Sequence, residues 1–139
     1  MNAAIGLVVA LNAEASALIG HGRWQHAGGC LFRRSRLIDN TYLIVARSGM
    51  GAKNASMASQ WLIREGVAAL AVSGVSGGLA PELSPGDLIV ADAVIQEKGN
   101  QCQQVWKKGA GFVDMVYRVL LDKGLPAYLG PIKIGRAHV

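Results

Sequence analysis

Three short segments hold the residue types that could do chemistry. The first is Glu14, in ALNAEAS, which follows an apolar run directly. A carboxylate at the carboxyl end of a strand can act as a general base or acid, because such ends open into the ligand crevice of α/β sheets. From position alone an ordinary exposed helix-start glutamate, favoured by the helix dipole, is the better reading. The second segment is Arg47-Ser48-Gly49-Met50-Gly51, between an apolar run and a helical pattern. Glycines there let a ligand approach the backbone, and a helix start favours an anion, but a plain strand-to-helix turn accounts for SGxG equally well. The third is SGVSGGLAPELSPGDLIVAD, from Ser73 to Asp92. Gly74, Gly77 and Gly78 end an apolar run, Ser73 and Ser76 offer hydroxyls, and Pro81 and Pro85-Gly86 turn the chain back. The order G-V-S-G-G is not the dinucleotide fingerprint, since no helix pattern opens after it, and the GK[ST] of a phosphate loop is absent. So bare a backbone suits close approach to a ligand or to a crossing strand.

These segments need elements to hold them. Ala4 to Leu11 is continuously apolar and predicts a buried strand. Asn12 can cap a short helix over Ala13 to Ile19. Gly20, Gly22, Gly28 and Gly29 mark a loose connection. Cys30 to Ile38 and Thr41 to Arg47 read as a hairpin around Asp39-Asn40. Lys53 to Glu65 carries Met57, Trp61 and Leu62 on one helical stripe, with Gly66 as its stop. Val67 to Val72 and Asp87 to Ile95 are further strands. Lys98 to Lys108 is polar and is expected to be an exposed loop. Phe112 to Lys123 is an amphipathic helix stopped by Gly124, and Tyr128 to Ile134 a last strand. Strands alternating with helices predict a layered α/β fold with a mixed sheet.

Composition narrows the class. The 139 residues suit one domain; 51% are hydrophobic and 17% charged, and mean hydropathy is +0.29. That is a core-forming composition, not a disordered one. No apolar run reaches membrane-spanning length, and no secretory signal pattern opens the chain. Cys30 and Cys102, without CxxC spacing, are expected to be free thiols of a cytoplasmic protein. His21 and His26 fall in a polar loop, and no His/Cys cluster has metal spacing, so no metal is expected. The net charge is +5, but its arginines and lysines are scattered, which argues against a nucleic-acid surface.

IGLVVALNAE, ARSGMGAKNA and SGVSGGLAPELSPGDLIVAD, in that order, resemble the purine nucleoside phosphorylase/uridine phosphorylase superfamily, and within it the methylthioadenosine/S-adenosylhomocysteine nucleosidase branch. The resemblance covers most of residues 4 to 133 and only the first half or so of the family's usual chain. It implies a three-layer α/β fold with a mixed central sheet and cleavage of the N-glycosidic bond of a purine nucleoside or thio-nucleoside, by water or by phosphate. Glu14 matches the glutamate that positions or activates the nucleophile. Ser48, Gly49, Met50 and Gly51 match the turn beside it. Gly74, Val75, Ser76, Gly77 and Gly78 match the segment lining the ribose and nucleophile pocket. Val75 departs from the family, whose members carry Ser or Thr there; valine has no hydroxyl to donate. The early arginine turn of the phosphorylases is absent, which leans toward hydrolysis. No organic cofactor is implied, inorganic phosphate is a possible co-substrate, and a homodimer is expected, with no nucleic-acid or membrane partner. A non-catalytic nucleoside-binding module and the hopanoid-associated phosphorylase branch are the alternatives.

The tail carries one further expectation. IGRAHV, residues 134–139, back-translates into the common adapter of short-read DNA sequencing followed by a stop codon, and Lys133 supplies the required preceding AG. Residues 1–133 are therefore expected to be the N-terminal part of one truncated nucleoside phosphorylase-like domain, and 134–139 a non-native tail in which Arg136 and His138 have no biological role. The family's later ribose-binding glutamate and purine-facing aspartate have no counterpart here, so the 139-residue chain is expected to be inactive by itself.

Overall fold

A computed structural model describes residues 3–135. The chain forms two compact units, Met1–Ser76 and Gly77–Val139.

The first unit is a five-stranded sheet between two helices. Its elements are β1 (Ala4–Val9), α1 (Asn12–Ile19), β2 (Gln25–Ala27), β3 (Cys30–Arg36), β4 (Tyr42–Arg47), α2 (Ala52–Arg64) and β5 (Ala69–Val72), with strand order β2-β3-β4-β1-β5. β1 runs parallel to β4 and β5, while β3 is antiparallel to β2 and β4. The sheet is thus mixed, as expected. Alternation along the strands explains the layers. Val8, Ile44 and Ala46 point to one face and pack with Ala58, Trp61 and Leu62 of α2. Val9 and Val45 point to the other and pack with Ala15 of α1. A strand covered on both faces has no polar side to show, which is why β1 reads as an unbroken apolar run. Leu62, fully buried, contributes about 1.5–3 kcal/mol by leaving water.

Local corrections have local causes. The cap of α1 is Leu11, extended at φ −119°, ψ 154°, not Asn12, which is already helical. The Asp39-Asn40 turn is confirmed: both residues have positive φ, 59° and 60°, and a short 3-10 turn over Ile38–Asn40 shortens the flanking strands to Arg36 and Tyr42. Asp and Asn tolerate this region because their short polar side chains bond locally. The end of the connection expected to be loose is a second hairpin: Gly28 and Gly29, at φ 59° and 78°, turn β2 into β3. His26 therefore lies on β2, opposite Leu31, rather than in a loop.

The second unit holds β6 (Leu88–Lys98), β7 (Gln101–Lys107), α3 (Phe112–Asp122) and β8 (Ala127–Ile134), in strand order β7-β6-β8. β6 pairs antiparallel with β7 and parallel with β8. The expected polar loop over Lys98 to Lys108 is wrong: most of it is β7, every residue of which is exposed. Backbone pairing with β6, not burial, makes this strand, so its side chains carry no apolar alternation. Lys98 pairs with Gln101 around Gly99-Asn100, with Gly99 at φ 59°.

Cys30 is buried and Cys102 exposed, and both are free thiols. Among the described residues no helix is long and apolar enough to cross a membrane. Arg136 and His138 lie outside the described residues.

Candidate active site

The site is built where three parallel strands of the first unit end together. β1 lies between β4 and β5, with Val9 opposite Arg47 and Val8 opposite Val72. The segments leaving these ends stay in register for one more step. Ser48 and Gly49 donate their N–H groups to Val9 O (2.9 Å) and Ala10 O (3.1 Å), and Ser73 N–H donates to Val8 O (3.0 Å). Parallel pairing therefore forces residues 10–14, 48–51 and 73–75 into one cluster at the carboxyl edge of the sheet, the crevice position of open α/β sheets.

Glu14 stands in that cluster, in the first turn of α1. Its Oε2 accepts the N–H groups of Ala10 (3.1 Å) and Leu11 (3.0 Å). The Leu11 bond is one half of a capping box, a role any helix-start glutamate can fill. Its Oε1 accepts the N–H of Val75 at 3.1 Å. That bond joins residues far apart in sequence, and helix capping does not call for it. Beside it, a Cβ built on Gly74 would stand 2.8 Å from Oε1. The bare backbone at Gly74 thus lies against a carboxylate, not a phosphate.

The Ser48–Gly51 turn lies on the other flank. Gly49 and Gly51 adopt φ 81° and 98°, which requires glycine at both, and Gly51 is the cap from which α2 starts. Ser48 Oγ donates to Gly49 O at 2.8 Å, and Asn54 Nδ2 braces the turn by donating to Met50 O at 2.8 Å. The Met50 side chain is 73% exposed, a free apolar surface beside the cluster.

The structure therefore brings together Glu14, Ser48, Gly49, Met50, Gly51, Gly74 and Val75. Ser76, exposed, ends the first unit; Gly77 and Gly78 open the second, where a Cβ on Gly78 would face Leu83. The concern that Val75 has no hydroxyl changes its form here. The group it offers Glu14 is its main-chain N–H, which any residue but proline supplies, while its side chain is 84% exposed.

Two contacts of the surroundings carried no signal in the sequence. Trp24 lies under the guanidinium groups of Arg47 (4.9 Å to the ring centroid) and Arg33 (5.5 Å). Asn12 Oδ1 accepts from Arg47 Nη1 at 2.9 Å, tying the start of α1 to the end of β4. Among the described residues no group of three or more His, Cys, Asp and Glu side chains is placed to hold a metal ion.

Comparison with known proteins shows the family. Residues 4–129 match the phosphorylase superfamily, and the chain belongs to that family. Over 100 residues it is 33% identical to the 5′-methylthioadenosine/S-adenosylhomocysteine nucleosidases of Mycobacterium bovis and Mycobacterium tuberculosis; the match takes in 69% of this chain and 39% of each relative. Among solved structures it is similar to the S-adenosylhomocysteine nucleosidase of Streptococcus pyogenes, with a TM-score of 0.81, 21% identity, and coverage of 98% of this chain and 64% of that one. The futalosine hydrolase of Helicobacter pylori gives a TM-score of 0.80 at 22% identity, covering all of this chain and 69% of its own. The chain thus spans well under half the length of the mycobacterial relatives and about two thirds of these solved chains.

Proposed function

We propose that the complete protein cleaves the N-glycosidic bond of a purine nucleoside or 5′-thio-nucleoside, and that Glu14 directs the nucleophile. One observation carries the reading: the Glu14 carboxylate is held at the carboxyl edge of the sheet by a main-chain N–H from a distant strand end. In this reaction the attacking oxygen bonds to the anomeric carbon while the bond to the purine nitrogen breaks, its electron pair leaving with the base. When water attacks, a carboxylate beside it takes the proton it sheds. Gly74 keeps a side chain away from that carboxylate, so a sugar can come close to the main chain, and the exposed Met50 offers an apolar surface for a 5′ substituent.

Water is the better nucleophile for this cluster. Phosphate would bring negative charge next to a carboxylate, and the cation at the end of β4, Arg47, is engaged by Asn12 and Trp24. The two mycobacterial relatives, named for methylthioadenosine and S-adenosylhomocysteine, point to the same substrate class. We extend the reading to a cytoplasmic homodimer working without metal or organic cofactor.

The test is a base-release assay on the complete gene product with 5′-methylthioadenosine, S-adenosylhomocysteine and adenosine, each with and without inorganic phosphate. Free base and free sugar without phosphate support the reading. Tight binding of adenosine analogues with no product in either condition would leave the non-catalytic binding module in its place.

A further inference from the structure

We propose that Gly74 is a positioning residue for Glu14 and that it keeps Oε1 as the working oxygen of the carboxylate; this rests on the nucleosidase reading above. Each carboxylate oxygen accepts about two hydrogen bonds. Oε2 already accepts two, from Ala10 and Leu11. Oε1 accepts one, from Val75, and retains acceptor capacity for a nucleophile. The carboxylate is therefore asymmetric: one oxygen is saturated by main chain and the other is open.

Gly74 protects the open oxygen. Its backbone does not need glycine, for it is not among the residues with positive φ. The three atoms nearest to a Cβ added there all belong to Glu14: Oε1 at 2.8 Å, Cδ at 3.3 Å and Oε2 at 3.7 Å. A methyl group would therefore collide with the carboxylate and with nothing else. Because the carboxylate ends a flexible side chain, the collision moves it rather than the sheet. The fold is spared, while Oε1 leaves the Val75 N–H. A glycine that neither conformation nor packing demands is explained by the group it leaves in place.

The experiment compares Gly74→Ala with the unaltered complete gene product. Amide hydrogen exchange at Ala10, Leu11 and Val75 is followed by NMR, in parallel with base release and thermal unfolding. In the unaltered protein all three amides are protected by their bonds to Glu14. In Gly74→Ala the Val75 protection is lost, that of Ala10 and Leu11 persists, and the unfolding midpoint is unchanged. Turnover falls on the order of 10²-fold through kcat, with KM changed far less. Shortening the carboxylate by Glu14→Asp withdraws it from the new methyl, so adding Gly74→Ala in that background costs much less than it does alone. Gly109→Ala, at an open position without positive φ, serves as the neutral control. A Val75 amide that keeps its protection in Gly74→Ala, strictly additive substitutions, or a Gly74→Ala protein that does not fold each overturn the inference. The amide pattern without base release from any nucleoside upholds the positioning and overturns the nucleosidase reading instead.

Discussion

The main-chain N–H of Val75 donates to Glu14 Oε1 at 3.1 Å, across 61 residues of sequence. The bond closes the carboxyl edge of the sheet, fastening the segment after β5 to the helix that follows β1. It also separates two roles of one side chain. Oε2 caps α1, as many helix-start glutamates do, and Oε1 does not.

Glu14→Gln separates these roles experimentally. The amide keeps the shape and one oxygen, so one set of main-chain N–H groups stays satisfied, and the lost contacts cost about 0.5–2 kcal/mol, the range of a helix cap. An amide does not take a proton from water at neutral pH. Base release is expected to fall by about 10²–10⁴-fold, the usual contribution of a positioned general base. Turnover by Glu14→Gln within threefold of the unaltered protein would remove Glu14 from the mechanism.

Gly28 and Gly99 form a matched pair for stability. Both adopt φ 59° in hairpin turns. A Cβ at Gly28 would stand 2.3 Å from Trp61 Cγ, whereas at Gly99 nothing lies within 4 Å. Alanine at either position meets the same backbone strain, about 1 kcal/mol or somewhat more. At Gly28 it must also displace a buried ring that stacks at 4.7 Å against Phe32. Gly28→Ala is therefore expected to be less stable than Gly99→Ala by about 1–3 kcal/mol in denaturant titrations, the usual cost of overpacking. Equal losses would show that Trp61 gives way freely.

How far the sequence foretold this arrangement depends on where the information sits. β1 was legible because Ala4–Val9 is apolar on both faces, and α2 because Met57, Trp61 and Leu62 recur at helical spacing. Glu14 was legible as a candidate from its place after a strand. Its bond to Val75 was not, since a main-chain donor has no residue signature. β7 was missed because its side chains are all exposed and its polar run resembles a loop. The hairpin signal was nonetheless present in Gly99-Asn100, a recognised two-residue turn pair. Gly28-Gly29 likewise reads as a loose connection in the sequence but forms a tight turn between β2 and β3.

Leu62→Ala tests the core on the α2 side. Leu62 is wholly buried among Val8, Ile44, Ala58 and Trp61. Removing most of its side chain leaves a cavity between helix and sheet, with an expected cost of about 2–5 kcal/mol. Ile63→Ala, one residue on and 62% exposed, is expected to cost within about 0.5 kcal/mol. The comparison is made by urea titration. Equal midpoints for the two variants would place the α2 contact outside the core.

Lys108 and Asp114 join the end of β7 to the first turn of α3 at 2.8 Å. The hydrogen bond from Lys108 holds the Asp114 carboxyl below its ordinary range. A carboxyl depressed on folding stabilises the native state above its unfolded pKa, and the contribution is lost as pH falls through the lower, folded value. Lys108→Met is expected to move the Asp114 titration upward, followed by carboxyl resonances between pH 2 and 6. The pair is only partly buried and stays within reach of solvent, so the effect on unfolding is small. An unmoved titration would assign the depression to the other groups near Asp114, the Gly111 amide and Arg118.

The two free thiols should differ in reactivity. Cys30 is buried, its Sγ donates to Ala27 O at 3.4 Å, and burial pushes its pKa up, so at any given pH less of it is the reactive thiolate. Cys102, exposed on β7, has no such protection. Alkylation at pH 8 followed by peptide mass spectrometry is expected to label Cys102 promptly and Cys30 only slowly, with Cys30 catching up in denaturant. The sign also fixes the pH trend for Cys30: its labelling accelerates only as pH rises above the ordinary thiol range, where its thiolate forms. Gly28→Ala, which disturbs Trp61 in the same core cluster, should expose Cys30 and speed its labelling while leaving Cys102 unchanged. Labelling of both cysteines at one rate in the native protein would mean that the β2–β3 hairpin opens faster than the reagent reacts.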